Sequence, residues 1–224
     1  MDFETWEPVY ERILADFGYD RAADEAARDV LADLTGPFDR QRLDFEGQTV
    51  AVVGAGPSLR ASLGRVGEAD RVVAASTAAR VLREVGIHID LMVTDLDGHP
   101  PTARELTAAG TPVAVHAHGD NADALRRHVP TFEEPNVLPT TQAEPRPPVC
   151  NFGGFTDGDR AAFTADALGA ESLTFPGWDL DDPSASQLKR RKLQWAARLL
   201  AWLERRRSES FAVLDGRRAD LEPL

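Results

Sequence analysis

Lysine is nearly missing from this sequence: among 25 basic residues only Lys189 and Lys192 are lysines. Cysteine is scarcer still. A single Cys150 excludes an internal disulfide and a thiolate zinc site, and nothing points to an oxidising compartment. Alone at the end of a proline-rich stretch, Cys150 reads as a small buried hydrophobe rather than a nucleophile. Long apolar runs are absent too, and none approaches the roughly 18 residues that a membrane helix needs. The opening MDFETWEPVYERIL carries acids where a signal peptide carries a basic cluster followed by an apolar core. A soluble, cytoplasmic protein is expected. Positive charge is also in deficit, with a net charge of -12 at pH 7, which argues against nucleic acid and anionic membrane as partners. Abundant acids with little lysine suit a high-salt cytoplasm, where self-repulsion is screened, although GC-rich coding also favours arginine over lysine.

What is present is a repeated unit. Residues 1–46 read as a polar helical region whose apolar positions, Trp6, Val9, Tyr10, Ile13, Leu14 and Phe17, recur at three and four. From residue 47 to 224 strand and helix signals alternate. Val50–Val53, Arg71–Ala75, Asp90–Thr94 and Pro112–His116 read as buried strands, with helices over Ala78–Val85 and Thr102–Ala109. Pro130–Val149 is proline-rich and reads as a loop over the sheet, with a short strand at Val137–Leu138 left open. Helix at about Ala161–Leu168, strand at Ser172–Phe175 and a long basic helix over Ser184–Arg207 follow, and the tail's SFAVL is a candidate edge strand. Repeated βα units predict an α/β, doubly wound, mostly parallel, Rossmann-like sheet with an N-terminal helical cap and a long C-terminal helix. The length suits one large domain with helical additions; a homo-oligomer is left open.

Ligands of such sheets sit outside the carboxyl ends of the strands. Those ends carry GAGPSL (54–59), TDLDG (94–98), HAHGDN (116–121) and NFGGFTDGDR (151–160). Each alone is ordinary turn chemistry; four together describe a site. Gly54, Gly56, Pro57 and Ser58 lie between a strand and a helix, where backbone N–H groups and the helix dipole can face a phosphate. Leu59 stands where a dinucleotide fingerprint needs its third glycine, and no Gly-Lys-Ser/Thr follows, so the loop implies phosphate without naming a cofactor. Asp95 and Asp97 flank Leu96, an alternation that points two carboxylates the same way from an extended backbone and suits Mg2+ beside phosphate oxygens. His116, His118 and Asp120 have transition-metal spacing; alternatively Asp120 supplements the Mg2+ site or binds substrate, with His118 a polar contact. Asp157 and Asp159 either bind ligand or cap the next helix. Lys189 and Lys192, three apart, share a helix face and can reach polyphosphate, or belong to a solvated basic face with Arg190 and Arg191.

Read in order, GAGPSL, VTDLDG, HAHGDN, NFGGFTDGDRA and the final K-x-x-K-L resemble the archaeal 6-hydroxymethyl-7,8-dihydropterin pyrophosphokinase family, the MptE-like proteins, over about residues 47–195. The resemblance implies transfer of a diphosphate from ATP, the co-substrate, to the hydroxymethyl group of the pterin, with Mg2+ and release of AMP, on the route to tetrahydromethanopterin or folate. A weaker resemblance in topology and acidic strand ends is to the thiamine pyrophosphokinase catalytic domain. Residue by residue, the family pattern puts Gly54–Ser58 on ATP phosphates and Asp95 and Asp97 on Mg2+ with Asp120 near it. It puts Asn151, Gly153, Asp157 and Asp159 around the pterin or ATP, and Lys189 and Lys192 on the phosphates. Two other readings stand beside it: a glycosyltransferase-like enzyme holding a sugar nucleotide through Asp95 and Asp97, and a non-catalytic nucleotide sensor.

Overall fold

The computed structural model describes all residues, 1–224. Six strands, β1 (Thr49–Val53), β2 (Arg71–Ala75), β3 (Leu91–Thr94), β4 (Val113–Ala117), β5 (Val137–Thr141) and β6 (Ser172–Thr174), form one sheet in the order β5-β4-β3-β2-β1-β6. Every pairing is parallel. Each step from β1 to β5 moves outward in one direction, through α3 (Leu59–Val66), α4 (Ala78–Glu84), α5 (Pro100–Ala108) and α6 (Ala122–His128). The chain then returns through α7 (Asp157–Ala167) to place β6 on the far side of β1. Right-handed crossovers in opposite directions must lie on opposite faces, and they do. Leu59, Val66, Leu82, Leu106 and Leu125 of the outward helices fill one apolar layer, and Ala161, Ala162, Phe163 and Ala165 of α7 fill the other.

Strand residues alternate between the two layers: Val50, Val52, Val73, Leu91 and Val93 face one, and Ala51, Val53, Val72, Ala74 and Met92 the other. Burial on both faces explains why these strands read as continuous apolar runs. The N-terminal helices join both layers. Asp2 caps α1 (Phe3–Phe17), accepting from Thr5 N at 2.8 Å, and the helix stops at Gly18, whose φ of 70° only glycine adopts freely. Its stripe of Trp6, Val9, Tyr10, Ile13 and Leu14 packs on the α7 side, with the Trp6 ring 6.4 Å from both Phe163 and Trp202. Helix α2 (Arg21–Leu34) buries Ala27 and Leu31 in the opposite layer. Helix α8 (Gln187–Arg207) closes the α7 side, and no helix is long and apolar enough to cross a membrane.

Two expectations are corrected. The proline-rich stretch is not only a loop: Val137–Thr141 is a fully buried edge strand paired with β4 over its whole length. Pro139 is tolerated there because its carbonyl, and hence its missing N–H, points away from β4, the carbonyl accepting from Cys150 N at 2.9 Å. The tail does not extend the sheet. Ala212–Leu214 is a 3-10 turn that buries Phe211 and Leu214, and the Glu209 side chain accepts from Leu173 N on the outer edge of β6. That capped edge leaves SFAVL no partner to pair with.

Candidate active site

The reversal of connection direction at β1 makes the boundary between β1 and β6 the topological switch point. A cleft of 330 Å³ opens there, at the carboxyl ends of β1, β2 and β3, with the start of α7, the segment after β6 and the first turns of α8 as its walls.

Strand β3 ends at Thr94, one residue short of Asp95. Simple strand alternation therefore does not aim the two carboxylates. Leu96 does: it is buried with φ 70°, its N–H donates to Thr94 Oγ1 at 3.0 Å, and this left-handed turn brings Asp97 back beside Asp95. A left-handed conformation in a non-glycine residue costs about 1–2 kcal/mol. Ser76, at the end of β2, has φ 47° and lines the cleft, whereas Leu96 is buried behind it and sends its neighbours Asp95 and Asp97 into the lining. Asn121 fixes the neighbouring strand ends, its Nδ2 donating to the carbonyls of Asp95 (2.8 Å) and His116 (2.7 Å).

Asp157, at the first turn of α7, joins the pair, so that Asp95, Asp97 and Asp157 each present an oxygen within 4.8 Å of the others. Hard carboxylate oxygens at this density suit a divalent cation of the Mg2+ type. The electrostatics differ from one acid to the next. Burial opposes the charge of Asp95, but His118, Arg160 and Asp97 outweigh it and hold its carboxyl well below the usual range. Desolvation by the cleft walls, then the charge of Asp95, pushes Asp97 up to about 6. Burial, followed by Asp95, pushes Asp157 up to about 8 despite the adjacent Arg160. Three acids this close cannot all hold full charge cheaply without a cation.

The remaining expected residues separate. Lys189 and Lys192 line the cleft, Lys192 Nζ lying 5.8 Å from the Phe155 ring centroid. Arg190 and Arg191 turn elsewhere: Arg190 Nε donates to Ala185 O at 2.8 Å, and Arg191 pairs with Asp16 and lies over the Phe17 ring. His118 stands between Asp95 (Nε2, 3.4 Å) and Asp120 (Nδ1, 3.0 Å), and the Asp120 side chain, 90% exposed, is outside the acidic group. His116 is buried, its Nδ1 lies 3.1 Å from Thr140 Oγ1, and burial holds its pKa well below the ordinary value. It therefore stays neutral in a place a solvent ion cannot reach.

Asp159 is the other half of a capping box with Thr156: its carboxylate accepts from the N–H groups of Phe155 and Thr156 and from Thr156 Oγ1, and its side chain is fully buried. Of the two readings for this acid, the cap is the one its contacts fulfil. Asn151 and Gly153 do not line the cleft. The Asn151 amide donates to the carbonyls of Gln142 (2.9 Å) and Ala143 (2.8 Å) and accepts from Gly153 N.

The glycine-rich turn holds a further correction. Gly54, Ala55, Gly56 and Pro57 line the cleft, but the N–H of Gly54 donates to Pro176 O (3.0 Å), that of Gly56 to Gly177 O (2.8 Å) and that of Ser58 to Asp179 Oδ2 (2.9 Å). The amides assigned to phosphate are thus engaged by the segment after β6, with the Asp179 carboxylate as the anion at the start of α3. Trp178 pins that segment, its Nε1 donating to Val52 O at 2.9 Å. A Cβ on Gly56 would lie 2.2 Å from Asp179 Oδ2. Sequence reasoning missed Asp179 and Arg160; the first sits in the acid-rich FPGWDLDD, and the second ends the quoted NFGGFTDGDR.

Fold and cleft together define a parallel α/β protein that gathers three carboxylates and two lysines at its switch point. Its kinship is narrower than that class. Residues 26–184 match the family model described as 6-hydroxymethylpterin diphosphokinase MptE-like. Relatives named 6-hydroxymethyl-7,8-dihydropterin pyrophosphokinase come from Methanothermobacter thermautotrophicus (40% identical, covering 92% of this chain and 96% of the relative) and Pyrococcus furiosus (41%, covering 91% and 95%). A third, from Methanocaldococcus jannaschii, is 31% identical, covering 91% and 96%. The chain belongs to the MptE-like family.

Proposed function

We propose that the protein transfers a diphosphate from ATP to the hydroxymethyl group of 6-hydroxymethyl-7,8-dihydropterin, releasing AMP, in the cytoplasm. The observation that carries this reading is the meeting of Asp95, Asp97 and Asp157 within 4.8 Å, beside Lys189 and Lys192, in a chain of this family. A bound Mg2+ supplies charge neutralisation on the transferring phosphate oxygens. The three carboxylates would hold it, and their raised and lowered pKa values suit a site completed by a cation.

The protein's own part is positioning and electrostatics. The lysines, on the first turns of α8 where the helix dipole also favours anions, neutralise polyphosphate oxygens. The Ala55–Pro57 rim and the Ser76–Thr77 turn border the nucleotide. The pterin hydroxyl oxygen bonds to the β-phosphorus as the bond from that phosphorus to the oxygen of the α-phosphate breaks, and AMP leaves with that oxygen. The hydroxyl proton passes to water in the open cleft, because both ring nitrogens of His118 face carboxylates, Nε2 toward Asp95 and Nδ1 toward Asp120. Family membership favours this over the glycosyltransferase-like and sensor readings. The test is incubation with ATP, Mg2+ and the pterin, with AMP and pterin diphosphate measured together. Equal formation of both supports the proposal; AMP-free binding, or no pterin diphosphate, overturns it.

A further inference from the structure

A buried arginine lies beneath the acidic group. The Arg160 side chain is 5% exposed, and its Nη1 lies 3.1 Å from Asp157 Oδ1 and 3.5 Å from Asp95 Oδ2. Its Nη2 donates to Gln142 Oε1 at 3.1 Å, while its Nε is buried with no partner. Leaving a buried donor unpaired is costly. The guanidinium is held in that costly position by what surrounds it. Gln142 Nε2 donates to Asp24 Oδ2 (2.7 Å), and Asp24 also accepts from Tyr10 OH (2.7 Å) and Gly119 N (2.6 Å). The Gln142 carbonyl accepts from Trp6 Nε1 (2.8 Å) and from the Asn151 amide. Gly154, at φ 96°, lies so close to the Arg160 backbone that a Cβ would fall 2.6 Å from its Cα.

We infer that Arg160 is a positioning residue: its Nη1, aimed by the planar group whose Nη2 is held by Gln142, fixes the Asp95 and Asp157 carboxylates in the arrangement that receives the divalent cation, and Gln142 and Asp24 transmit that constraint from helices α1 and α2. The inference rests on reading Asp95, Asp97 and Asp157 as cation ligands. Groups that orient ligands from behind are worth about 10–100-fold in metal affinity or activity. Charge alone makes the opposite forecast, since a cation beside the site repels a metal ion. Arg160→Lys separates the two, because it keeps the charge and removes only the planar fork.

The experiment measures Mn2+ binding to the full chain, without nucleotide or pterin, by the electron paramagnetic resonance signal of free ion, with circular dichroism as the check on folding. In folded Arg160→Lys the Mn2+ dissociation constant is expected to rise about 10–100-fold. An unchanged or tighter constant overturns the inference, as does an unmodified protein that binds no Mn2+. If Arg160→Lys does not fold, Gln142→Met serves in its place. It removes the fork's anchor without touching Asp95, Asp97 or Asp157, and unaltered Mn2+ affinity there is likewise fatal. The diphosphotransfer reading is tested separately on the same preparation. A protein that binds Mn2+ in an Arg160-dependent way but forms no pterin diphosphate refutes that reading and leaves the role of Arg160 standing.

Discussion

Two turns at the carboxyl end of the sheet, one after β1 and one after β3, look alike in sequence as polar, glycine-containing strand ends, yet the structure uses them oppositely. After β1, three N–H groups that face an expected ligand are engaged by Pro176, Gly177 and Asp179. After β3, the left-handed Leu96 leaves two carboxylates open toward the cleft, and Asp157 completes them. The first turn is closed by protein, and the second leaves open an acidic group that could hold a cation. A glycine-rich motif therefore reports that something approaches the backbone closely, whereas crowded like charges report that something of opposite charge is required.

The largest effect is expected at that open acidic group. Asp95→Asn, Asp97→Asn and Asp157→Asn should each lower AMP formation at saturating Mg2+ on the order of 10²–10³, about 3–4 kcal/mol, while the fold persists. An Asp157→Asn enzyme with most of its activity would return that acid to the substrate side. Asp159→Asn supplies the contrast: it should cost about 1–2 kcal/mol of stability through the lost cap, read as a lower melting temperature, with kcat nearly unchanged.

The lysines come next. Lys189→Ala and Lys192→Ala should each slow AMP formation by about tenfold or more, about 1.4 kcal/mol. Arg190→Ala should barely alter the rate. Arg191→Ala should act on the melting temperature instead, because its partners are Asp16 and the Phe17 ring. Equal small losses in all four, vanishing at high salt, would assign the lysines to a solvated face.

The closed turn gives a sharper test of its own reading. Gly56→Val should destabilise the protein by about 1–3 kcal/mol, because the new side chain meets Asp179 Oδ2 and Gly177 O rather than empty cleft. Adding Asp179→Ala should recover part of the loss in a thermal melt. A Gly56→Val protein that melts normally but has lost ATP affinity would mean that the amides face phosphate after all.

A last effect concerns pH. Asp97 and Asp157, with carboxyls pushed up to about 6 and about 8, bind protons in the folded protein that the unfolded chain has already released. Stability therefore falls as pH rises from about 4 to 8 in metal-free buffer. Asp157→Asn should flatten that slope, and saturating Mg2+ should do the same in the unmodified protein. A slope unaltered by both would place its origin elsewhere.

The sequence by itself determined the parallel α/β fold and most of its elements, because strands buried on both faces must be apolar throughout and the intervening helices must be amphipathic. It also pointed to the carboxyl ends of the strands as the candidate site, since polar residues at consecutive strand ends have no use in the core. It put Lys189 and Lys192 on one helix face, but its extended-strand reason for pairing Asp95 and Asp97 gave way to the left-handed turn at Leu96. Only the tertiary structure decided which acid completes the group. Asp157 and Asp159 are two residues apart and chemically identical, and their fates diverge because one lies over the cleft and the other folds back on Phe155 and Thr156. The partners of the β1 turn and the polar chain from Tyr10 to Arg160 were likewise beyond sequence, because each joins residues more than a hundred positions apart whose adjacency the packing of helices against the sheet alone creates.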